Sequence, residues 1–282
     1  MKFEKSVIEL IKIRRSVRSY DKQELGTEQI AAIEAILQSN VVGPFGNTVR
    51  FELIIKMDAK ANNKVKLGTY GFISGARYFI AGAVKPSPKA NLDYGYLLEH
   101  IILHLTAMNL GTCWLGGTFS RSEYAILLNR DNNIIIPSIT PVGKAAKAMS
   151  QREKIIRWGA KADTRKLWEE LFFNKSLVHS LTKDDAGAYT DPLEMIRFAP
   201  SASNKQPWRI FFTTDAFHFY LKRTPGYGMV AKDVDLQMID IGIAMSHFEL
   251  VCSELNLRGQ WQEINPGIEA RDMEYNVSWV VK

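Results

Sequence analysis

Two long stretches of this chain repeat one another, and that repetition limits its fold more than any single motif does. Placing Trp114 on Trp261, an offset of 147 residues (261 − 114), also pairs Asp93 with Asp240, Gly95 with Gly242, His100 with His247, Asn109 with Asn256 and Leu110 with Leu257. Any two amphipathic helices would match at apolar positions, as Leu98, Ile101 and Leu105 do with Met245, Phe248 and Cys252. Helical periodicity gives no reason for the paired Asp, Gly, His, Asn and Trp. Upstream, Asn47 and Phe51 fall on Asn204 and Trp208 at an offset of 157 (204 − 47), so the second copy is the shorter between the two blocks. A period this long is not a solenoid repeat. It predicts two homologous half-domains, residues 1–160 and 161–282, paired about a pseudo-twofold axis through their equivalent long helices, so that a monomer acts as a pseudo-dimer.

The residue pattern around these blocks predicts helices over 3–13, from Thr27 to about Leu37, over 92–109, 193–198 and 238–257, and strands over 51–57, 78–84, 134–142, 208–213, 217–221 and 277–281. Helices and strands mixed in each half point to an α+β fold, each half a sheet flanked by helices. With 282 residues, 46% hydrophobic and 23% charged, the chain can bury a large core, and disorder and disulfide scaffolds are excluded. Two cysteines, Cys113 and Cys252, match no metal spacing and suit a reducing compartment. Charged residues interrupt the first turns, which argues against a secretory leader, and the apolar run 76–84 is too short to span a bilayer. The expectation is a cytoplasmic protein with no membrane partner.

Three motifs carry possible chemistry. Arg14-Arg15-Ser16-x-Arg18 sets three guanidinium groups and a hydroxyl within five residues, donors that match phosphate oxygens; alone, the run also fits a solvated helix end. Residues 199–208, Ala-Pro-Ser-Ala-Ser-Asn-Lys-Gln-Pro-Trp, bracket polar side chains between two prolines before a strand. That composition suits hydrogen bonding to a ligand and equally a Ser- or Asx-type turn. The third is Gly111-Thr112-Cys113-Trp114-Leu115-Gly116-Gly117. Other constellations are weaker. His100 and His104 are four apart, but Ile101 follows where H-E-x-x-H has Glu, so no metal site is expected. Gly68-Thr69-Tyr70-Gly71 is neither a dinucleotide fingerprint nor a P-loop, and no G-x-S-x-G elbow activates Ser201 or Ser203. The basic stretch 152–166 is interleaved with Glu153 and Asp163, a solvated helix face rather than a nucleic-acid track.

Together the R-R-S-x-R run, the A-P-S-x-x-N-x-Q-P-W block and the Gly-Gly segment resemble the FMN-dependent nitroreductase family, in the form of its single-chain, two-lobed members. The resemblance implies an FMN held between the lobes and hydride passed from NAD(P)H through flavin N5, by ping-pong kinetics, to a nitroaromatic, quinone or similar small acceptor. It assigns Arg14, Arg15, Ser16 and Arg152 to the phosphate, Arg18 to the N1/O2 edge of the ring, Gly116 and Gly117 to the N5/O4 edge, and Pro200, Ser201, Ala202 and Asn204 to the opposite flank. No catalytic side chain is implied. A non-catalytic flavin-binding or flavin-sensing protein of the same fold is the alternative. The basic run occurs only in the first half, its nearest counterpart being Asn174-Lys175-Ser176, and the complete polar loop only in the second. The counterpart of that loop, Gly43-Pro44-Phe45-Gly46-Asn47, carries Phe45 where Ser201 would lie. One flavin per chain is therefore expected.

Overall fold

Two helices, Ala90–Ala107 and Leu236–Glu254, are apolar on nearly every side, and a helix of that kind can only be buried. They pack on each other at the centre of the molecule. The structure, a computed structural model, describes residues 3–39, 41–56, 68–128, 133–175, 179–227, 229–270 and 272–282. In chain order its helices are α1 (Val7–Ile13), α2 (Thr27–Ser39), α3 (Ala90–Ala107), α4 (Arg121–Leu127), α5 (Gln151–Gly159), α6 (Lys183–Ala186), α7 (Thr190–Phe198) and α8 (Leu236–Glu254). Its strands are β1 (Val49–Ile55), β2 (Tyr78–Val84), β3 (Gly111–Thr112), β4 (Ile139–Gly143), β5 (Phe172–Asn174), β6 (Trp208–Phe212), β7 (Ala216–Leu221), β8 (Met229–Ala231), β9 (Val234–Asp235), β10 (Gly259–Gln262) and β11 (Glu274–Val281).

The α3–α8 crossing is close enough that only glycine fits on each side. A Cβ on Gly95 would lie 2.2 Å from the Ile239 carbonyl oxygen, and one on Gly242 2.1 Å from that of Leu92. Leu92 and Ile239 are themselves separated by the same 147 residues as the two glycines (239 − 92), so the contact is reciprocal. Around the helix pair stand two main sheets, and β8 pairs separately with β9. The first has the order β1-β2-β4-β3, and the second, read as β6-β7-β11-β10, has the same order with β5 added outside β6. All pairs are antiparallel except β5–β6. One apolar core runs through both sheets and the helices between them, with Ile33, Leu98, Ile101, Trp208, Phe217 and Phe248 all fully buried.

Helix α1 lies across both halves. Val7, Leu10 and Ile11 pack against Leu103 of α3, Met195 of α7 and Val251 of α8. Its N-terminus is held by Glu254 at the end of α8, which accepts from the Val7 N–H at 2.5 Å and the Ser6 hydroxyl at 2.7 Å, a carboxylate at the positive end of the helix dipole. Ser6 is the N-cap, accepting from the Glu9 N–H, and so the helix expected from residue 3 begins at Val7. The strand expected over 134–142 is shorter, Ile139–Gly143, and upstream of it Ile135 keeps a single bridge to Val84. Met57 and Ser176, the ends of two expected segments, lie outside the described residues. Asn174 and Lys175 are not the spatial counterpart of Arg14 and Arg15. They sit at the β6 edge of the second sheet, whereas the arginine run continues beside β3, where the Val17 N–H donates to Thr112 O at 2.8 Å.

Two expectations follow for stability. Gly242→Ala adds helix propensity, yet its methyl group meets backbone, so denaturant unfolding should show a loss of about 1–3 kcal/mol. Gly159→Ala on α5, where nothing lies within 4 Å, should be neutral or slightly stabilising. Burial, with His104 and His247 nearby, holds the His100 pKa down to about 3, and burial holds His104, stacked on Phe3, down to about 4. In the unfolded chain both protonate near pH 6.5, so stability is complete above that value and falls as the pH drops towards 4 and then 3. Thermal melting from pH 7 to pH 4 should show this fall, and His100→Phe should make it shallower.

Candidate functional site

Below the helix crossing, the two halves enclose a cavity of about 860 Å³, a volume typical of small-molecule and cofactor sites. The first half contributes residues 11–16, at the end of α1 and just beyond it, with Arg18 and the 114–118 turn. The connection between the halves contributes Ile156, Arg157, Ala160, Ala162, Asp163 and Arg165. The second half contributes Arg197, Phe198, the loop from Pro200 to Asn204, Tyr227, Val230 and the first turns of α8.

Its floor is cationic and short of partners. Arg14 caps the C-terminus of α1 through its N–H to Leu10 O and is almost fully buried. Arg14 Nε and Nη1, Arg18 Nη1 and Arg165 Nε are buried without a hydrogen-bond partner. The nearest carboxylate to Arg14, that of Glu99, is 3.8 Å from Nε, beyond hydrogen-bond distance. Burial first, and then the charge of Arg14, lowers the pKa of Arg165, so these two cations face one another in a desolvated place. Such an arrangement calls for an anion. Arg18 is held by its N–H to Glu153 Oε1 at 3.3 Å, with Glu153 at the start of α5.

Opposite this floor lies the polar loop. Ser203, Asn204 and Gln206 all have positive φ (48°, 56° and 48°), a conformation that costs side-chain-bearing residues energy and collects at ligand sites. Asp240 of α8 keeps the loop in place by accepting from the Ala202 N–H at 3.0 and 3.2 Å, and burial raises its pKa well above the usual carboxylate range. The Asn204 side chain is turned to the connection between the halves, donating to Lys161 O at 2.7 Å and Thr164 O at 3.0 Å. Gln206 accepts from the Lys166 N–H at 3.0 Å. Asn204 and Gln206 thereby anchor the segment that carries Arg165. On the third side, Arg121 grips the carbonyls of Gly116 and Pro137, fixing the Gly116–Gly117 turn, and a Cβ on Gly117 would meet nothing within 4 Å.

Of the residues singled out in the sequence, Arg14, Arg15, Ser16, Arg18, Gly116, Gly117, Pro200, Ser201, Ala202 and Asn204 all line this one cavity. Arg152 does not. It lies one layer out, donating to Tyr70 O at 3.4 Å with its guanidinium 5.8 Å from the Phe72 ring. The same basic stretch reaches the cavity with Arg157 and Arg165 instead. Arg157 faces inward because α5 turns that side to the cavity, and Arg165 because Asn204 and Gln206 tie its segment to the loop. Nothing in residue spacing distinguishes Arg165 from its basic neighbours; only its partners across the chain do.

The equivalent place on the other side of the helix pair is filled. The Phe45 N–H donates to Asp93 as the Ala202 N–H does to Asp240, so Phe45 stands at the position of Ala202 rather than Ser201. Lys89 lies over the Phe45 ring, 4.6 Å from its centroid, and pairs with Glu263 at 2.9 Å. At the 147-residue offset Lys89 and Glu263 correspond to Leu236 and Gly116, which meet at the wall of the open cavity. Elsewhere, His100 packs on the Tyr96 ring. Among the described residues no group of three or more His, Cys, Asp or Glu could hold a metal, and no helix is long and apolar enough to cross a membrane.

Comparison with known proteins adds a family. Residues 6–252 match the sequence model of the family described as Putative TM nitroreductase. Among solved structures, a putative nitroreductase of Thermotoga maritima is similar over 100% of this chain and 96% of its own, at 18% identity and a TM-score of 0.62, a likeness of fold. A nitroreductase with bound FMN from Bacteroides fragilis matches over 52% of this chain and 92% of its own, at 22% identity and a TM-score of 0.40. A putative nitroreductase in complex with FMN from Desulfovibrio desulfuricans matches over 53% and 92%, at 22% identity and a TM-score of 0.41. No curated protein matches the sequence.

The role of Asn204 as an anchor has a direct test. In Asn204→Ala, local opening of the 161–166 segment should become easier by about 1–3 kcal/mol, the worth of two such hydrogen bonds. Amide exchange at Thr164 and Lys166 should accelerate accordingly, while the global unfolding midpoint hardly moves.

Proposed function

The chain belongs to the Putative TM nitroreductase family, and from that premise we propose that it is an FMN-dependent oxidoreductase passing a hydride from NAD(P)H to a nitroaromatic, quinone or similar small acceptor. The observation that carries this reading is the set of unpartnered buried guanidinium nitrogens of Arg14, Arg18 and Arg165 around one cavity shared by both halves. A flavin phosphate supplies the missing anion, and a glycine turn and a polar loop on either side leave room for a flat ring. Bound there, FMN supplies reversible acceptance of a hydride, chemistry that needs no acid or base from the protein.

On this reading Arg14, Ser16 and Arg165 would hold the phosphate, with the exposed Arg15 adding charge at the entrance. Arg18 would face the ring edge on which negative charge gathers. The N–H groups of Gly116 and Gly117 would meet the other edge, and Pro200, Ser201 and Ala202 would line the flank, with Asn204 supporting them. Leu115, Leu236, Ile239 and Ile243 supply an apolar wall that keeps water out. Donor and acceptor would use the same opening in turn, which is ping-pong order.

We further read the chain as two duplicated lobes, 1–160 and 161–282, acting as a pseudo-dimer within a monomer. The shared strand order, the reciprocal glycine contacts and the matched Asp93–Phe45 and Asp240–Ala202 bonds support it. Closure of the second seam by Phe45, Lys89 and Glu263 supports one flavin per chain. No nucleic acid or membrane enters this reading.

The purified protein should release one FMN per chain on denaturation, and anaerobic NADH or NADPH should bleach the flavin, with a quinone or nitroaromatic restoring its colour. Flavin that is bound but never bleached would make this a carrier, and two flavins per chain would overturn the single site. Arg14→Ala should weaken FMN binding by about 1.5–3 kcal/mol, the range for hydrogen bonds to charged groups, and Lys175→Ala should leave it unchanged.

A further inference from the structure

We propose that His247, on α8, is a positioning residue for the anion end of the cavity: it shares a proton with the buried Glu99 of α3, so that this carboxylate, though within ion-pair range of Arg14, makes no hydrogen bond to it and the guanidinium N–H groups are left for a phosphate. The proposal rests on the cavity holding a phosphate-bearing flavin.

Glu99 and His247 are both inaccessible to solvent. His247 Nδ1 lies 2.9 Å from Met195 O, and a carbonyl only accepts, so Nδ1 carries a hydrogen. His247 Nε2 lies 3.0 Å from Glu99 Oε1. A hydrogen bond there requires one further proton, on the imidazole or on the carboxyl. Either way the pair has no net charge. The other carboxyl oxygen, Oε2, accepts from Trp114 Nε1 at 2.7 Å. Both Glu99 oxygens are thus hydrogen-bonded without Arg14, whose Nε stays at an ion-pair distance of 3.8 Å and, like Nη1, makes no hydrogen bond. A buried carboxylate without His247 would have one strong option, to close this gap to a hydrogen-bonded pair with Arg14 and draw it away from the cavity.

The closed side of the molecule lacks this device. At the 147-residue offset Ser246 stands where Glu99 does, and its hydroxyl has no partner. His100 stands where His247 does, and its Nε2 is likewise unpartnered. Trp261, equivalent to Trp114, donates to Glu249 instead. Among the described residues, the carboxylate–imidazole pair occurs only behind the open cavity.

The test compares FMN with riboflavin, which differs by the phosphate alone, using apoprotein and fluorescence titration. His247→Asn should raise the FMN dissociation constant roughly tenfold, a loss in line with one charged hydrogen bond, and change that of riboflavin less than about twofold. Glu99→Gln, whose amide can donate to a neutral His247 and accept from Trp114, should bind FMN at least as tightly as the wild type. The double variant Glu99→Gln/His247→Asn should recover the FMN affinity lost in His247→Asn. Equal loss of FMN and riboflavin in His247→Asn, or a double variant as weak as the single one, overturns the proposal. If His247→Asn does not fold, Glu99→Gln decides alone: a lowered preference for FMN over riboflavin overturns it. Wild-type protein that binds neither flavin overturns the functional reading itself.

Discussion

Backbone contact between α3 and α8 sets the position of everything that follows. Gly95 and Gly242 bring the two helices so close that the carbonyls of Leu92 and Ile239 occupy the space of the absent side chains. Each helix then carries, in its first turns, a buried aspartate that orders a loop of its own half: Asp93 for residues 45–47, Asp240 for Ala202. One turn or two further on, Glu99 and His247 meet across the interface. A small shift of either helix would move both loops and the glutamate–histidine pair together, because packed interiors do not deform independently at neighbouring points.

From nearly equivalent halves the chain builds two unlike seams. One is wide, lined by arginines with free nitrogens, and bounded by a strained loop. The other is closed by an aromatic ring, a lysine and a glutamate. In the closed seam opposite charges satisfy each other. In the open one Arg165 lies buried in the field of Arg14, and nitrogens of both lack a hydrogen-bond partner, a cost only partly offset by Glu99 and by the carbonyls of Ala162 and Thr164. An anion that binds only the folded state would recover that energy and stabilise the fold by mass action.

The connection between the halves is more than a tether. It supplies Arg157 and Arg165 to the cavity wall, and it is held to the polar loop through Asn204 and Gln206. Strand β5, just beyond, joins the edge of the second sheet. This connecting segment therefore forms part of the cavity wall. Strained positions such as Ser203 and Asn204 persist because Asp240 and the carbonyls of Lys161 and Thr164 over-determine them.

Much of this was legible in residue order. The glycines paired at one spacing expressed the reciprocal helix crossing, since a close backbone approach demands glycine at both matching positions. The R-R-S-x-R run and the proline-bounded loop were recognisable because each is a local cluster of donors. Residues that act through distant partners were not. Arg165 looks like any basic residue of its stretch, Arg152 looked equally eligible, and the proton shared by Glu99 and His247 depends on residues separated by most of the chain. The amino-acid order alone determined the mixed α+β fold and the local donor clusters of the two motifs, because those depend on neighbours within a few turns. Which arginine faces the cavity, which seam stays open and which carboxylate is neutralised were decided only by the tertiary structure, because burial and hydrogen-bond partners arise when remote segments pack.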